Sequence, residues 1–68
     1  MKIYHHVFEI PAHLVAKWYT IINGEFYYWS VTCYAWVASN NQDVAIREYL
    51  KAKAEGRVFR VQLKGRVL

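Results

Sequence analysis

The 68-residue sequence contains few of the residues that build disulfide-stapled, metal-bound or glycine-rich domains. Its one cysteine, Cys33, cannot form an intramolecular disulfide, and small secreted domains usually depend on such bonds. Three glycines and one proline leave no Gly-rich phosphate loop and no Gly-x-Ser-x-Gly motif. His5 and His6 stand where a signal peptide would have an apolar run. We therefore expect a cytoplasmic protein without a large catalytic fold.

Apolar residues make up 56% of the chain, but they form no run that could span a membrane. The stretch that begins at Phe26 is interrupted by Ser39-Asn40-Asn41-Gln42, which leaves it too short to cross a bilayer. A chain of this length forms one domain, residues 1–68, and buries only about 60% of the surface that its unfolded form exposes. Because dimerisation would enlarge so small a core, a homodimer is among the expected states.

The net charge is +4, and it is distributed unevenly along the chain. The charges in residues 1–40 cancel, whereas residues 41–68 carry seven bases and three acids. Such a basic segment favours nucleic acid, an acidic protein or an anionic surface as a partner.

The clearest local signal is Asn23-Gly24, which stands between two apolar stretches. Both central residues of a type I′ turn need a positive φ, which asparagine and glycine tolerate best. We therefore predict a β-hairpin in which residues 17–22 pair with a strand over residues 25–38. This turn fixes the register of the hairpin, so that Tyr19 lies opposite Tyr28.

The second strand of this hairpin presents two chemically different faces. One face is continuously apolar and consists of Tyr27, Trp29, Val31, Cys33, Ala35 and Val37. The other face mixes aromatic rings with hydroxyl groups and consists of Tyr28, Ser30, Thr32, Tyr34 and Trp36. The alternation predicts that the apolar set faces the core and that the mixed set faces outward. Because this strand exceeds the usual length, we expect a bend or bulge near residues 30–32.

A helix is predicted after this strand. Ser39, followed three residues later by Gln42, fits the capping box that starts a helix. Gly56 is placed as the residue just past the C-terminal cap. The apolar stripe at helical spacing consists of Ala45, Ile46, Tyr49, Leu50 and Ala54.

Two further strands complete the predicted fold. Residues 57–64 alternate between apolar and polar, and their core side chains are expected to be Phe59, Val61 and Leu63. β-branched and aromatic residues predict a strand over residues 2–10, which Pro11 either ends or follows with a short helical turn to residue 16. The prediction is an α+β fold of order β-β-β-α-β, with one helix packed on one face of a small antiparallel sheet.

The residues that could catalyse a reaction or bind a metal form no recognisable pattern. His5 and His6 are adjacent and would point to opposite faces of a strand, so only one of them could join His13 in a metal site. Cys33 falls on the predicted core face, where a buried thiol is usually inert. We expect no enzymatic activity, no metal and no cofactor. A Cys33 nucleophile is the enzymatic alternative.

The expected binding surface combines aromatic and basic side chains on the outward face of the sheet. Its members are Tyr28, Tyr34, Trp36, Arg60 and Lys64, and a second patch on the helix consists of Arg47 and Lys51. Rings that stack on bases and cations that neutralise phosphates would suit single-stranded nucleic acid. Exposed aromatic residues beside arginine equally describe a hot spot for protein binding. As a third alternative, a dimer partner or the N-terminal strand covers this face.

The stretch from Trp36 to Ile46 runs from a strand through a capped turn into an Ala-Ile helix start. With the hairpin before it and the strand after it, over residues 17–64, this order resembles the small anti-CRISPR inhibitors of phages and mobile elements. It also resembles, as a second choice, the N-terminal unit of HicB-like antitoxins.

The first resemblance implies a stand-alone inhibitor in the cytoplasm of a bacterial host. Such a protein would bind a large protein or nucleoprotein complex and block it sterically, without entering a membrane. The alternative function is a small single-stranded nucleic-acid-binding protein, whose affinity would fall steeply with salt.

Overall fold

The computed structural model describes residues 4–11 and 17–68, and within them six strands and one helix follow along the chain. Their bounds are β1 (His5–Ile10), β2 (Lys17–Ile22), β3 (Glu25–Ser30), β4 (Ala35–Ala38), α1 (Gln42–Ala54), β5 (Phe59–Val61) and β6 (Arg66–Val67). The strands form one sheet in the order β5-β1-β2-β3-β4-β6, and α1 packs on one of its faces. All neighbouring strands are antiparallel except β4 and β6.

The predicted α+β fold is therefore confirmed, although in the described residues four strands precede the helix and two follow it. The start of the predicted N-terminal strand, residues 2 and 3, lies outside the described residues. So does the helical turn that was the alternative after Pro11.

The hairpin between β2 and β3 has the predicted turn and the predicted register. Asn23 and Gly24 have φ values of 51° and 81°, as a type I′ turn requires. Tyr19 lies opposite Tyr28. The local chemistry of two residues thus determines the pairing of both strands.

The prediction of a single strand over residues 25–38 is wrong, because residues 31–34 form a turn between β3 and β4. Tyr34 has a φ of 51° in this turn. Since the two strands pair antiparallel, Trp29 lies opposite Trp36 and both face the same side of the sheet. In one continuous strand these two side chains would point to opposite faces. The bend expected near residues 30–32 is a complete reversal of the chain.

The face of the sheet under the helix holds the main apolar core. The ring of Phe8 is at its centre, with centroids 5.8, 5.9 and 5.3 Å from those of Tyr19, Phe26 and Tyr49. The buried members are Phe8, Phe26, Ala45 and Ala52, and the partly buried ones are Ile10, Tyr19, Ile21, Tyr49 and Val58. Three strands and the helix therefore share one aromatic cluster.

The faces of β3 and β5 are interchanged relative to the prediction from alternation, whereas Ala35, Trp36 and Val37 of β4 point to the predicted sides. Tyr28, expected to face outward, lies on the helix-covered face beside Tyr19, with ring centroids 6.2 Å apart. Trp29, expected in the helix-covered core, lies on the other face. Val58 packs against the helix-side core, whereas Phe59, expected in that core, is 50% exposed. Because both faces are apolar, alternation alone does not identify the one that the helix covers.

The helix begins at Gln42 rather than directly after Ser39, so the predicted capping box is wrong. The side chain of the N-cap residue, Asn41, makes no capping hydrogen bond. The Oε1 atom of Gln42 instead accepts a hydrogen bond from the backbone N–H of Phe26 at 2.9 Å. Its Nε2 atom donates to the carbonyls of Phe26 and Ser39, at 2.9 and 2.8 Å. Gln42 therefore ties the start of α1 to the start of β3.

The helix ends as predicted, with Gly56 just past the cap and a φ of 73°. The predicted apolar stripe is only partly correct. Ala45 is buried, whereas Ile46 and Leu50 are 44% and 58% exposed. No helix within residues 4–11 and 17–68 combines the length and apolar character that crossing a bilayer requires.

Residues 62–65, which we call the strap, cross the sheet face opposite the helix and join the edge strands β5 and β6. In a flat sheet these two strands would be about 24 Å apart. The five chain steps from Val61 to Arg66 reach at most about 18 Å. The sheet must therefore curl toward the strap, and the curvature creates a cleft between them.

Candidate binding site

The structure does not bring the predicted binding residues together on one face. Tyr28 and Trp36 lie on opposite faces, because Tyr28 pairs with Val37 and Trp36 pairs with Trp29. The single outward surface predicted from the sequence is therefore wrong. Whether the individual residues contact a partner stays a prediction.

The other predicted residues of that surface have separate surroundings. Tyr34 lies in the β3–β4 turn and is 74% exposed. Arg60 lies on β5, with its guanidinium carbon 4.8 Å from the centre of the Tyr4 ring. Lys64 belongs to the strap and lines the cleft beneath it. Of the three, only Lys64 shares a site with Trp36.

The predicted helical patch of Arg47 and Lys51 is exposed. Lys51 lines a cleft that also contains Glu48, Glu55 and Arg57. Because charges of both signs line this cleft, its electrostatic attraction for an anionic partner is weak.

The cleft between the sheet and the strap, which we call the tryptophan cleft, has a volume of about 470 Å³. Its lining residues are Val7, Trp18, Trp29, Trp36, Val61, Gln62, Leu63, Lys64 and Gly65. All three tryptophans of the chain are among them. The rings of Trp29 and Trp36 meet edge to face with centroids 5.4 Å apart. The cleft is therefore apolar and largely aromatic, with polar side chains only from the strap.

The strap is fixed to the sheet by contacts at both of these indole rings. The Nε1 atom of Trp36 donates a hydrogen bond to the carbonyl of Lys64 at 3.1 Å. Just beyond the strap, the N–H of Leu68 donates to the carbonyl of Trp36 at 2.9 Å. Gly65 has a φ of 96°, and a Cβ atom there would lie 2.7 and 2.8 Å from Cζ3 and Cη2 of Trp29. A side chain at this position would force the Trp29 ring or the strap to move, so the strap lies directly on the Trp29 ring.

A smaller cleft of about 270 Å³ adjoins the tryptophan cleft and shares Trp18 and Trp29 with it. Its lining adds Tyr28, Lys17 and residues 30–32. The ammonium of Lys17 lies 4.9 Å from the centre of the Tyr28 ring. Within the described part of the chain no acidic side chain lines either cleft, whereas each is lined by one lysine. The smaller cleft therefore combines rings from both faces of the sheet with one ammonium, while Glu9, which lies opposite Trp18 in the β1–β2 register, places an acidic residue on the face of the tryptophans.

Two shifted pKa values occur among the described residues, and both groups lie outside the two clefts. Burial raises the pKa of the Tyr19 hydroxyl, and the nearby Tyr28 hydroxyl raises it further. A hydrogen bond of 2.8 Å from Arg57 lowers the pKa of the Glu55 carboxyl. Both shifts are explained by local packing and pairing.

Cysteine and histidine do not gather into a reactive group in the described residues. Cys33 is exposed in the β3–β4 turn, so its predicted burial in the core is wrong. His5 and His6 point to opposite faces of β1, as their adjacency predicts. His13 lies outside the described residues. Among those that the structure does describe, no three His, Cys, Asp or Glu side chains lie close enough to hold a metal ion.

Trp18 and Trp29 are the binding candidates that sequence reasoning missed. The turn at residues 31–34 contains neither glycine nor proline, so nothing in the sequence marked the reversal that brings Trp29 and Trp36 to one face. A usable signal was present, because all three tryptophans fall between residues 18 and 36. Such a concentration of large rings in a short chain indicates a common packing or binding site.

Comparison with known proteins leaves the family open. No protein-family model, no curated protein and no solved structure matches the chain. The case for a function therefore depends on the chemistry of the clefts.

Proposed function

We propose that this chain is a small non-catalytic binding protein that attaches to a larger protein through the tryptophan cleft. In this proposal it acts as a stand-alone inhibitor or adaptor that covers a functional surface of its partner, in the manner of the small anti-CRISPR inhibitors. The observation that carries the proposal is that all three tryptophans line one apolar cleft. Tryptophan is among the residues most enriched at the energetic centres of protein interfaces.

The apolar lining of the cleft favours a protein side chain over a nucleobase. Val7, Val61 and Leu63 line it together with the three indoles. The polar edge of a base buried among these side chains would lose hydrogen bonds to water without replacing them, which costs about 1–3 kcal/mol for each group. An aliphatic or aromatic side chain has no such groups to satisfy. The lining of the tryptophan cleft therefore favours an apolar anchor from a protein.

Single-stranded nucleic acid is the second candidate, and the smaller cleft favours it. The ammonium of Lys17 lies over the Tyr28 ring, and Trp18 and Trp29 line the same cleft from the other face of the sheet. Ring faces next to cations are what sequence-independent binding of single strands uses. Binding of this kind would weaken steeply with salt, since each neutralised phosphate releases counterions.

Capture from bacterial lysate, with and without nuclease, separates the two candidates. Wild-type protein, Trp18→Ala and Tyr34→Ala would be immobilised, and the retained proteins identified by mass spectrometry. Trp18 and Tyr34 are both exposed aromatic residues, at 42% and 74%, but only Trp18 lines the cleft. Trp36→Ala is unsuitable, because Trp36 is buried and hydrogen-bonded to the strap.

We expect the wild type and Tyr34→Ala to retain the same nuclease-resistant protein, and Trp18→Ala to lose it. Loss of all captured material after nuclease treatment would favour direct nucleic-acid binding. Retention by Trp18→Ala together with loss from Tyr34→Ala would assign binding to the β3–β4 turn and contradict the proposal. Self-association stays a prediction, which sedimentation analysis of the same three proteins would test.

A further inference from the structure

We infer that the sheet face containing the tryptophan cleft binds a second copy of this chain, in a two-fold dimer that pairs Glu9 of each copy with Lys64 of the other. This goes beyond the proposed function, because the occupant is the chain itself. The second copy would withhold the cleft from a partner protein, and this competition is the one part that rests on the proposed function. Either proposal can fail while the other stands.

A row of four side chains runs across the face that the strap crosses. Glu9 of β1 lies opposite Trp18 of β2, and Trp29 of β3 lies opposite Trp36 of β4. The register of the hairpin places Trp18 beside Trp29, and both line the same clefts. Three strand spacings, or about 14 Å, therefore separate Glu9 from Trp36. Lys64 is attached at the Trp36 end of the row, because its carbonyl accepts the hydrogen bond from that indole.

The acid at one end of this row and the base at the other have no ion-pair partner in the described part of the chain. The one ion pair there joins Glu55 to Arg57 at 2.8 Å. Arg57 also donates to the backbone carbonyl of Glu9 at 3.4 Å, which leaves the Glu9 carboxylate unpaired. Glu25, another acid on this side of the sheet, begins β3 at the opposite end of the strand from the tryptophans. The tryptophans therefore lie between two unpaired charges of opposite sign.

A two-fold axis makes this face complementary to itself. If the axis lies in the interface, parallel to the strands and between β2 and β3, it exchanges the β1 and β4 ends of the row. Glu9 of each copy then faces Lys64 of the other, and Trp18 of each copy lies over the strap that covers Trp29 of the other. The same surface patch serves both copies, as a closed dimer requires.

The area and exposure of the face also suit a dimer. The molecule measures 29 × 27 × 17 Å. Since a helix stacked on a sheet accounts for the shortest extent, the sheet presents a face of about 800 Å² in outline, which is the area that each partner of a standard stable interface buries. Large apolar side chains on this face are between 37% and 50% exposed, namely Trp18, Phe59, Val61 and Val67. A second copy would remove them from water, which a core this small cannot do.

Complementary charge reversals test the pairing directly. Glu9→Lys brings two lysines together at each contact and Lys64→Glu brings two acids together, so each variant alone should dimerise at least about tenfold more weakly than the wild type. An equimolar mixture of the two variants should recover the wild-type affinity, because both contacts of the mixed dimer again join opposite charges. Sedimentation velocity at low salt measures dimerisation. Native mass spectrometry, with one variant isotope-labelled, identifies the mixed dimer.

The matched controls are Arg47→Glu and Glu48→Lys, which make the same changes in net charge on α1. Each should change dimerisation by less than about twofold, and mixing them should have no further effect. Trp18→Ala should abolish the dimer, whereas Tyr34→Ala should leave it intact. Circular dichroism checks that the variants fold. A reversal that fails to fold is replaced by glutamine at the same position, with an expected weakening of about threefold.

A chain that sediments as a monomer up to millimolar concentration would overturn the inference, as would a dimer that tolerates Trp18→Ala. Failure of the mixture to recover affinity would overturn it too, because the contacts would then not exchange Glu9 and Lys64 between copies. In each of these cases the proposed function stands if Trp18→Ala still loses the protein captured from lysate. A dimer that behaves as expected, in a chain that captures no protein through Trp18, would contradict the proposed function alone.

Discussion

Replacing Gly65 with alanine tests whether the strap lies directly on the tryptophan cleft. The added Cβ atom would be 2.7 Å from Cζ3 and 2.8 Å from Cη2 of Trp29, so either the ring or the strap must move. In addition, the backbone at Gly65 has a φ of 96°, which residues with a side chain rarely adopt.

The size of the effect follows from these two contributions. A side chain in the left-handed region costs about 1–2 kcal/mol. Inserting a methyl group into a packed contact costs typically about 1–3 kcal/mol more. Gly56→Ala is the matched control, because Gly56 has a φ of 73° but nothing within 4 Å of the added Cβ. The difference between the two variants isolates the contact with Trp29.

We expect urea denaturation to show that Gly65→Ala lowers the free energy of unfolding by about 1–3 kcal/mol more than Gly56→Ala does. The strap could instead detach from the sheet, which would relieve the strain. The decrease in the free energy of unfolding would then not exceed the free energy that holds the strap in place. Hydrogen exchange would detect this detachment, because the Leu68 amide would lose protection when its hydrogen bond to the Trp36 carbonyl breaks. The tryptophan emission should shift in either case.

A second comparison tests whether the stability lost in Gly65→Ala comes from contact with the Trp29 ring. In a Trp29→Ala background the added methyl group meets no indole, so Gly65→Ala should cost no more than Gly56→Ala. Equal costs of Gly65→Ala in the two backgrounds would refute the seating of the strap on Trp29. The same conclusion would follow if Gly65→Ala and Gly56→Ala were indistinguishable in stability and in Leu68 exchange.

Three further predictions concern other parts of the fold. Tyr34→Gly should raise stability by about 0.5–1 kcal/mol, because glycine removes the cost of a φ of 51° at an exposed side chain; a lower melting temperature than the wild type would contradict this. Gln42→Glu should cost about 2–3 kcal/mol, because it replaces the amide that donates to the Phe26 carbonyl with a carboxylate. An unchanged urea midpoint would rule out that role. The pKa of Tyr19 is raised by burial, so the stability that this group contributes is complete below about pH 10 and is lost as the pH rises through the folded-state pKa. The urea midpoint above pH 10 should therefore fall more in the wild type than in Tyr19→Phe, and parallel curves would exclude the effect.

The parts of the fold that were predictable are those with strong local chemistry. Asn23-Gly24 determines a type I′ turn because both residues tolerate a positive φ, and the register of β2 and β3 follows from it. Gly56 marks the end of α1 for the same conformational reason. In both cases one or two residues settle the local geometry without help from the rest of the chain.

The tryptophan cleft was not predictable, because it depends on a turn without a sequence signal. Val31–Tyr34 contains residues typical of strands, and the positive φ falls on a tyrosine. Alternation through this segment therefore assigned Trp29 and Trp36 to opposite faces. The strap adds a second difficulty. It covers the sheet face opposite the helix, so the residues on that face are apolar as well. Period-two patterns identify a buried face only where the opposite face is wet.

The pairing of β6 with β4 has a consequence for solubility. The edge strands β5 and β6 are short, and each contains an arginine, Arg60 or Arg66, which discourages strand-to-strand association with other molecules. By contrast, β4, Ala35–Ala38, has no charged residue. Without the pairing of Arg66 and Val67, β4 would be a bare edge with free backbone donors and acceptors. The pairing of β6 thus covers the β4 edge, which is the kind of uncharged edge at which sheets of different molecules associate.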